Sequence, residues 1–156
     1  YYNHKVTGRP STAPGQVFYT HHTDVDNSPL YPFGYGLSYS TFEYGEIELS
    51  ANSLKKNENI IASITVKNTS SIDGQEIVQL YIQDLVAEET PMVKSLKEFQ
   101  KVKIRAGETA KVKFSINKDM LSYYKSNGEL SLEKGEFKVF IGENSSVENY
   151  KKFELK

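Results

Sequence analysis

The segment Thr109-Ala-Lys-Val-Lys-Phe-Ser-Ile116 decides how this chain folds. Ala110, Val112, Phe114 and Ile116 are apolar, and Thr109, Lys111, Lys113 and Ser115 between them are polar. Successive side chains of a strand project to opposite faces, so the alternation predicts a strand with one face in a core and the other in water.

The same period recurs on both sides of it. Upstream, Ile60, Ala62, Ile64 and Val66 alternate with Ile61, Ser63, Thr65 and Lys67, while Ile47 and Leu49 alternate with Glu46 and Glu48. Val78, Leu80 and Ile82 mark another strand, and Val102 with Ile104 one more. Downstream, Phe137, Val139 and Ile141 precede a last strand at Phe153 and Leu155. Turn formers separate these runs at Asn68 to Gly74, Ala106-Gly-Glu108, Asn127-Gly128, Lys134-Gly135 and Gly142 to Asn149. About seven short strands, each with one apolar face, predict an all-β, antiparallel β-sandwich over residues 42–156, with an up-and-down barrel as the alternative. One short helix is expected, with Asn117 as its cap, Asp119 in the first turn, and Met120 to Tyr124 before the stop at Ser126-Asn-Gly128.

Residues 1–41 read differently. Four of the five prolines and four of the ten glycines lie there, with no sustained period of 2 or 3.6, which predicts a linker running over a surface. It also holds six of the eleven tyrosines, together with Phe18 and Phe33. A flexible spacer is poor in such residues, and aromatics bury large areas when they find a partner, so this linker is expected to adhere to something.

At 156 residues the chain accommodates one domain and no second full one. With 19 Lys plus Arg against 20 Asp plus Glu, the net charge of −1 provides no attraction to phosphate backbones or anionic membranes, and neither nucleic acid nor membrane is expected as a partner. The absence of cysteine removes disulfides and thiolate metal sites and is compatible with any compartment, so localisation stays open between cytoplasm, periplasm and secretion. No apolar run approaches the roughly 20 residues that cross a bilayer. The chain opens on Tyr1, within what reads as interior sequence, and a fragment of a longer polypeptide is expected.

Several stretches invite a functional reading. His21-His-Thr-Asp-Val-Asp26 gathers imidazoles and carboxylates, but adjacent histidines point apart, only His4 is left to add, and a zinc site takes four ligands, so a solvated loop is expected and no metal or cofactor is assigned. Lys94, Lys97, Lys101, Lys103, Arg105, Lys111 and Lys113 form a basic stretch interrupted by Glu98 and Glu108, expected to be solvated edge charge. Asn68-Thr-Ser70 and Asn144-Ser-Ser146 match the glycosylation acceptor triplet and are assigned no function. The aromatic run Tyr31, Phe33, Tyr35, Tyr39, Phe42 and Tyr44 suits either stacking on a pyranose or wedging between domains. Gly34 and Gly36 free the backbone for close approach.

The string Tyr31-Pro-Phe-Gly-Tyr-Gly-Leu-Ser-Tyr-Ser-Thr-Phe-Glu-Tyr44 resembles the junction in family 3 glycoside hydrolases, the β-glucosidase family, where the second catalytic domain gives way to a fibronectin type III-like domain. Tyr1 to Pro10 resembles the end of that family's α/β sandwich domain. Val66-Lys-Asn-Thr69, Gly74 to Asp84, Leu96 to Val102, Gly107-Glu108 and Gly135 to Gly142 resemble successive pieces of the C-terminal domain. Ser70, where the family often has glycine, and Lys94 to Glu98 depart from the pattern.

The resemblance implies a fibronectin type III-like, immunoglobulin-like sandwich at 42–156, preceded by a linker and the tail of the α/β domain at 1–41. It also implies that the nucleophilic aspartate and the acid/base carboxylate lie on domains outside these residues. Retaining chemistry places two carboxyl groups roughly 5–5.5 Å apart across the scissile bond, and no catalytic residue is assigned here. Tyr31, Phe33, Tyr35, Tyr39 and Phe42 become the expected contacts with the catalytic domains of the same polypeptide. Carbohydrate is expected only in the context of that parent enzyme, a β-glucosidase by its nearest resemblance; the alternative is an independent carbohydrate-binding module.

Overall fold

The computed structural model describes residues 29–55, 58–86 and 93–156. The Tyr1 to Pro10 and His21 to Asp26 stretches and Phe18 lie outside the described residues.

The strand that decided the fold is β7 (Thr109–Ile116), and it pairs antiparallel along all but the last residue of β4 (Ile60–Asn68), from Ile60 opposite Ile116 to Lys67 opposite Thr109. The other edge of β4 is shared by two short strands, β1 (Phe42–Tyr44) and β2 (Glu48–Leu49). Gly45 stands at the break between them, where an added Cβ would meet Thr65 Oγ1 at 2.3 Å, so only glycine lets the chain hug β4 there.

The second sheet runs in the order β3 (Ser53–Leu54), β11 (Tyr150–Leu155), β10 (Gly135–Gly142), β5 (Gly74–Asp84) and β6 (Ser95–Ile104). All its pairings are antiparallel except β3 with β11. The chain therefore crosses from the first sheet to the second between β2 and β3. A register shift at Leu80/Tyr81, where Lys97 is the extra residue of β6, bends that edge.

The inward positions of both sheets form one core, with Ile60, Ala62, Ile64, Val66, Val112, Phe114 and Ile116 facing Val78, Leu80, Ile82, Phe137, Val139, Ile141 and Phe153. Phe137 and Phe153 stack at 5.6 Å. Each of these side chains but Ala62 contributes about 1.5–3 kcal/mol of burial, and this packing holds the two sheets face to face. The seven alternating stretches are β2, β4, β5, β6, β7, β10 and β11, in two separate ladders instead of the single closed sheet a barrel requires.

Two expectations are corrected. The helix α1 spans only Lys118–Leu121; Asn117 caps it, its Oδ1 accepting from the Met120 amide, but Ser122 is already extended. Tyr123–Tyr124 instead form β8, paired with β9 (Leu130–Ser131) across the Asn127-Gly128 turn. The pairing satisfies backbone that a continued helix would leave without partners at its end. Lys94 is not a solvated edge charge. It is buried, its ammonium donating to the Ser145 carbonyl at 3.1 Å and to the Val147 carbonyl, and lying 4.2 Å from the Phe140 ring centroid.

Candidate functional site

The pole of the sandwich where β1 begins also receives the β4–β5, β6–β7 and β10–β11 loops, and Asn68 ties the first two together. Its side chain is fully buried, Nδ2 donating to the carbonyls of Ile72 (2.8 Å) and Ile104 (3.0 Å) and Oδ1 accepting from the amide and hydroxyl of Ser70. Ser70 thus supplies a hydroxyl to the turn, and Asn68 has no exposed amide to offer as a glycan acceptor. Asn144 is also buried, its Oδ1 taken by the Ser146 amide.

Beside this pole residues 33–41 form a strap whose first two residues, Phe33 and Gly34, lie against the outer face of β5. Gln79 and Tyr81 point outward from that strand, yet both are buried, at 5% and 0% exposure. Gln79 Nε2 donates to the carbonyls of Gly34 (3.0 Å) and Glu143 (2.5 Å), and Tyr81 Oη donates to Gln79 Oε1 at 2.5 Å while lying 3.4 Å from the Phe33 carbonyl. The Phe33 carbonyl also accepts from the Ser145 amide at 2.9 Å. Gly34 has φ +80, and an added Cβ would sit 2.1 Å from Gln79 Oε1. Both the left-handed backbone and the contact require glycine. Gly36 is in open space. Seven residues on, the strap is attached again: Ser40 is buried, and Thr41 meets Thr69 through a hydroxyl pair at 2.8 Å and a backbone bond at 2.9 Å.

Between the two attachments the strap arches over a groove of about 400 Å³ lined by Tyr35, Ser38, Gln75, Glu76, Gln79 and Glu143. Glu76, on the wall of this groove, accepts from the Tyr44 phenol through Oε1 at 2.6 Å. Burial raises the Glu76 carboxyl above the usual carboxylate range, opposed by the Tyr44 hydrogen bond and assisted by the Glu143 charge. Burial first, then the Glu76 bond and charge and the Glu143 charge, push the Tyr44 phenol far above its ordinary value. With the phenol proton held by the carboxylate, this pair is a polar plug at the mouth of the core, not a presented acid or nucleophile. Among the described residues no group of three or more His, Asp or Glu side chains could hold a metal ion, and no helix is long and apolar enough to cross a membrane.

The structure places the expected contact residues along the strap. Tyr31, Phe33, Tyr35 and Tyr39 are exposed, Tyr39 at 99% and its neighbour Leu37 at 90%. Tyr31 and Tyr35 pack on one another at 5.2 Å between ring centroids. Phe42 is partly buried and packs against the sandwich's own core, as does Tyr44. Ile77 and Phe99, on the outer face of the second sheet, add exposed apolar surface next to the strap: Phe99 is opposite Gln79 in the ladder, and Ile77 lines the same groove. Sequence reasoning passed over Gln79, Tyr81, Ile77, Phe99 and Ser145. The available signal was the outward set of β5, Ile77, Gln79 and Tyr81, which is less polar than a solvated face.

The comparisons with known proteins agree with this architecture. Residues 76–145 match the family model described as fibronectin type III-like domain. The chain is 38% identical over 156 residues to the periplasmic β-glucosidase of Salmonella typhimurium, covering 99% of this chain and 20% of that protein. It is 45% identical over 134 residues to a putative β-xylosidase of Formosa agariphila, covering 85% of this chain and 18% of that protein. The crystal structure of a β-glucosidase from Listeria innocua in complex with isofagomine superposes with a TM-score of 0.84 at 39% identity, covering 99% of this chain and 22% of that one. The chain thus spans about a fifth of the length of the curated relatives it matches. A sandwich with this strap, aligned nearly end to end with one segment of much longer glycosidases, belongs to the fibronectin type III-like domains of glycoside hydrolase family 3.

Proposed function

We propose that this domain is a non-catalytic structural and interaction module of a family 3 enzyme, docked through its strap onto the catalytic domains of the same polypeptide. In this reading residues 1–41 are the linker and the tail of the preceding α/β sandwich domain, and residues 42–156 are the module. The full-length protein hydrolyses terminal β-D-glucosides with retention, by analogy with the β-glucosidases it is similar to.

The observation that carries the reading is the exposure of Tyr31, Phe33, Leu37, Tyr35 and Tyr39 on backbone that is itself attached to the sandwich. Apolar side chains gathered on one strip, with Ile77 and Phe99 beside them, mark a surface that another protein surface covers. Tyr31, Phe33, Tyr35 and Tyr39 make the contacts, and Phe42 supports them from the sandwich side.

The test is thermal unfolding of the full-length protein carrying Tyr35→Ala and Tyr39→Ala together. A lowered melting temperature with kcat retained per folded molecule supports docking. Titration of the 156-residue chain with cellobiose and laminarin is expected to show no binding. Millimolar or tighter affinity lost on Tyr35→Ala would overturn docking in favour of a carbohydrate-binding module.

A further inference from the structure

We infer that Gln79 and Tyr81 form a clasp that fixes where the linker enters, so that the domain orients what precedes it in the chain as well as adhering to it. The inference rests on the docking reading for its consequence, but the clasp itself is a property of this chain.

The geometry is that of a closed polar network on the outside of a sheet. Both hydrogens of the Gln79 amide are used, one on the strap at Gly34 and one on the β10–β11 loop at Glu143, and its oxygen takes the Tyr81 hydroxyl. The loop answers with the Ser145 amide, which reaches back to Phe33. Lys94 holds that loop in turn through the Ser145 and Val147 carbonyls, its ammonium lying over the Phe140 ring. Strap, loop and strand thus share one set of buried hydrogen bonds. A partly broken set of this kind leaves buried polar atoms without partners, which makes it all-or-none in character.

The second observation is steric. Gly34 passes so close to Gln79 and Tyr81 that an added Cβ would lie 2.1 Å from Gln79 Oε1 and 2.8 Å from Tyr81 Oη. The strap can occupy this position only with glycine there, and only with both side chains in their bonded rotamers. Hydrophobic adhesion alone sets no such condition, because aromatic packing tolerates sliding where hydrogen bonds to two successive carbonyls, Phe33 and Gly34, define a register. Gln79 and Tyr81 are therefore positioning residues for the strap, and the direction in which Tyr31, Tyr35 and Tyr39 project follows from them.

The test is amide hydrogen exchange on the 156-residue chain, wild type against Gln79→Leu and, separately, Gly34→Ala. Gln79→Leu removes the bridging side chain, and Gly34→Ala keeps the Gln79 and Tyr81 side chains while excluding the strap from its place against them. Both are expected to speed exchange of the Ser145 and Tyr35 amides by roughly tenfold or more, as loss of two or more buried hydrogen bonds requires, with the Val139 and Ile141 amides unchanged. Fast Ser145 and Tyr35 exchange already in the wild type overturns the clasp. An equal rise at Val139 and Ile141 also overturns it, since the residues would then support the core and not the strap. A clasp that passes this test while the Tyr35/Tyr39 variant of the full-length protein melts normally would stand, and the docking reading alone would fall.

Discussion

The phenol of Tyr44 donates a 2.6 Å hydrogen bond to the carboxylate of Glu76, joining the two sheets at the open end of the core. Tyr44 belongs to β1 of one sheet and Glu76 to β5 of the other, so the bond spans the sandwich. Because Glu76 is half-buried and Glu143 adds like charge, the carboxyl is held above its ordinary range despite the Tyr44 bond.

A raised folded-state value gives a definite sign. The folded chain binds this proton more tightly than the unfolded chain, so its contribution to folding is fully present below the ordinary carboxylate value and is lost as pH rises from there through the raised folded value. Glu76→Gln keeps an acceptor for the Tyr44 phenol and removes the titration. In urea unfolding, the midpoint of the variant relative to wild type is expected to rise between pH 4 and pH 7. A constant difference across that interval would show that Glu76 titrates normally in the folded state.

Asn68 gives a prediction of stability without titration. Asn68→Ala deletes an amide that serves two carbonyls and the amide and hydroxyl of Ser70 inside a fully buried site; the Ile104 carbonyl and the Ser70 amide lose this partner, while the Ile72 carbonyl still accepts from the Ser70 and Ser40 hydroxyls. A loss of about 2–4 kcal/mol in the unfolding free energy is expected, since each unsatisfied buried group costs roughly 1–3 kcal/mol. A loss below about 0.5 kcal/mol, the size of an ordinary surface change, would mean that water replaces the amide and that the two loops are not tied through it.

What was legible in the sequence follows the range of the forces involved. Alternation is local, so the faces of β4, β7 and β10 could be read residue by residue, and Asn117 announced α1 because its bond reaches only to Met120. The helix end was misjudged because Tyr123 and Tyr124 take their partners from Leu130 and Ser131, across a turn. Burial of Lys94, Gln79 and Tyr81 was not legible, since their cover comes from residues 45 to 64 positions away in the chain. A strand's outward face reads as wet whenever its cover is non-local. The strap shows the same limit: its aromatic content predicted adhesion, but part of what it adheres to is the outer face of its own sandwich.

The strongest separation of support from chemistry comes from removing the module. If the domain stabilises the enzyme through the strap, deletion of residues 42–156 from the full-length protein takes away β5 and with it the Gln79 and Tyr81 anchors, while Tyr31, Phe33, Tyr35 and Tyr39 stay on a chain end with nothing to position them. Those side chains then expose apolar surface on both sides of the former contact, and lower solubility follows from the same physics. The expected result is a lower melting temperature and soluble yield, with kcat per folded molecule changed by less than about twofold, because stabilising contacts remote from the reacting atoms act on the folded population and not on the barrier. An unchanged melting temperature would remove the support role. A normal melting temperature with a large fall in kcat would move the domain's contribution to the sugar site itself, and would require that residues of this chain reach it.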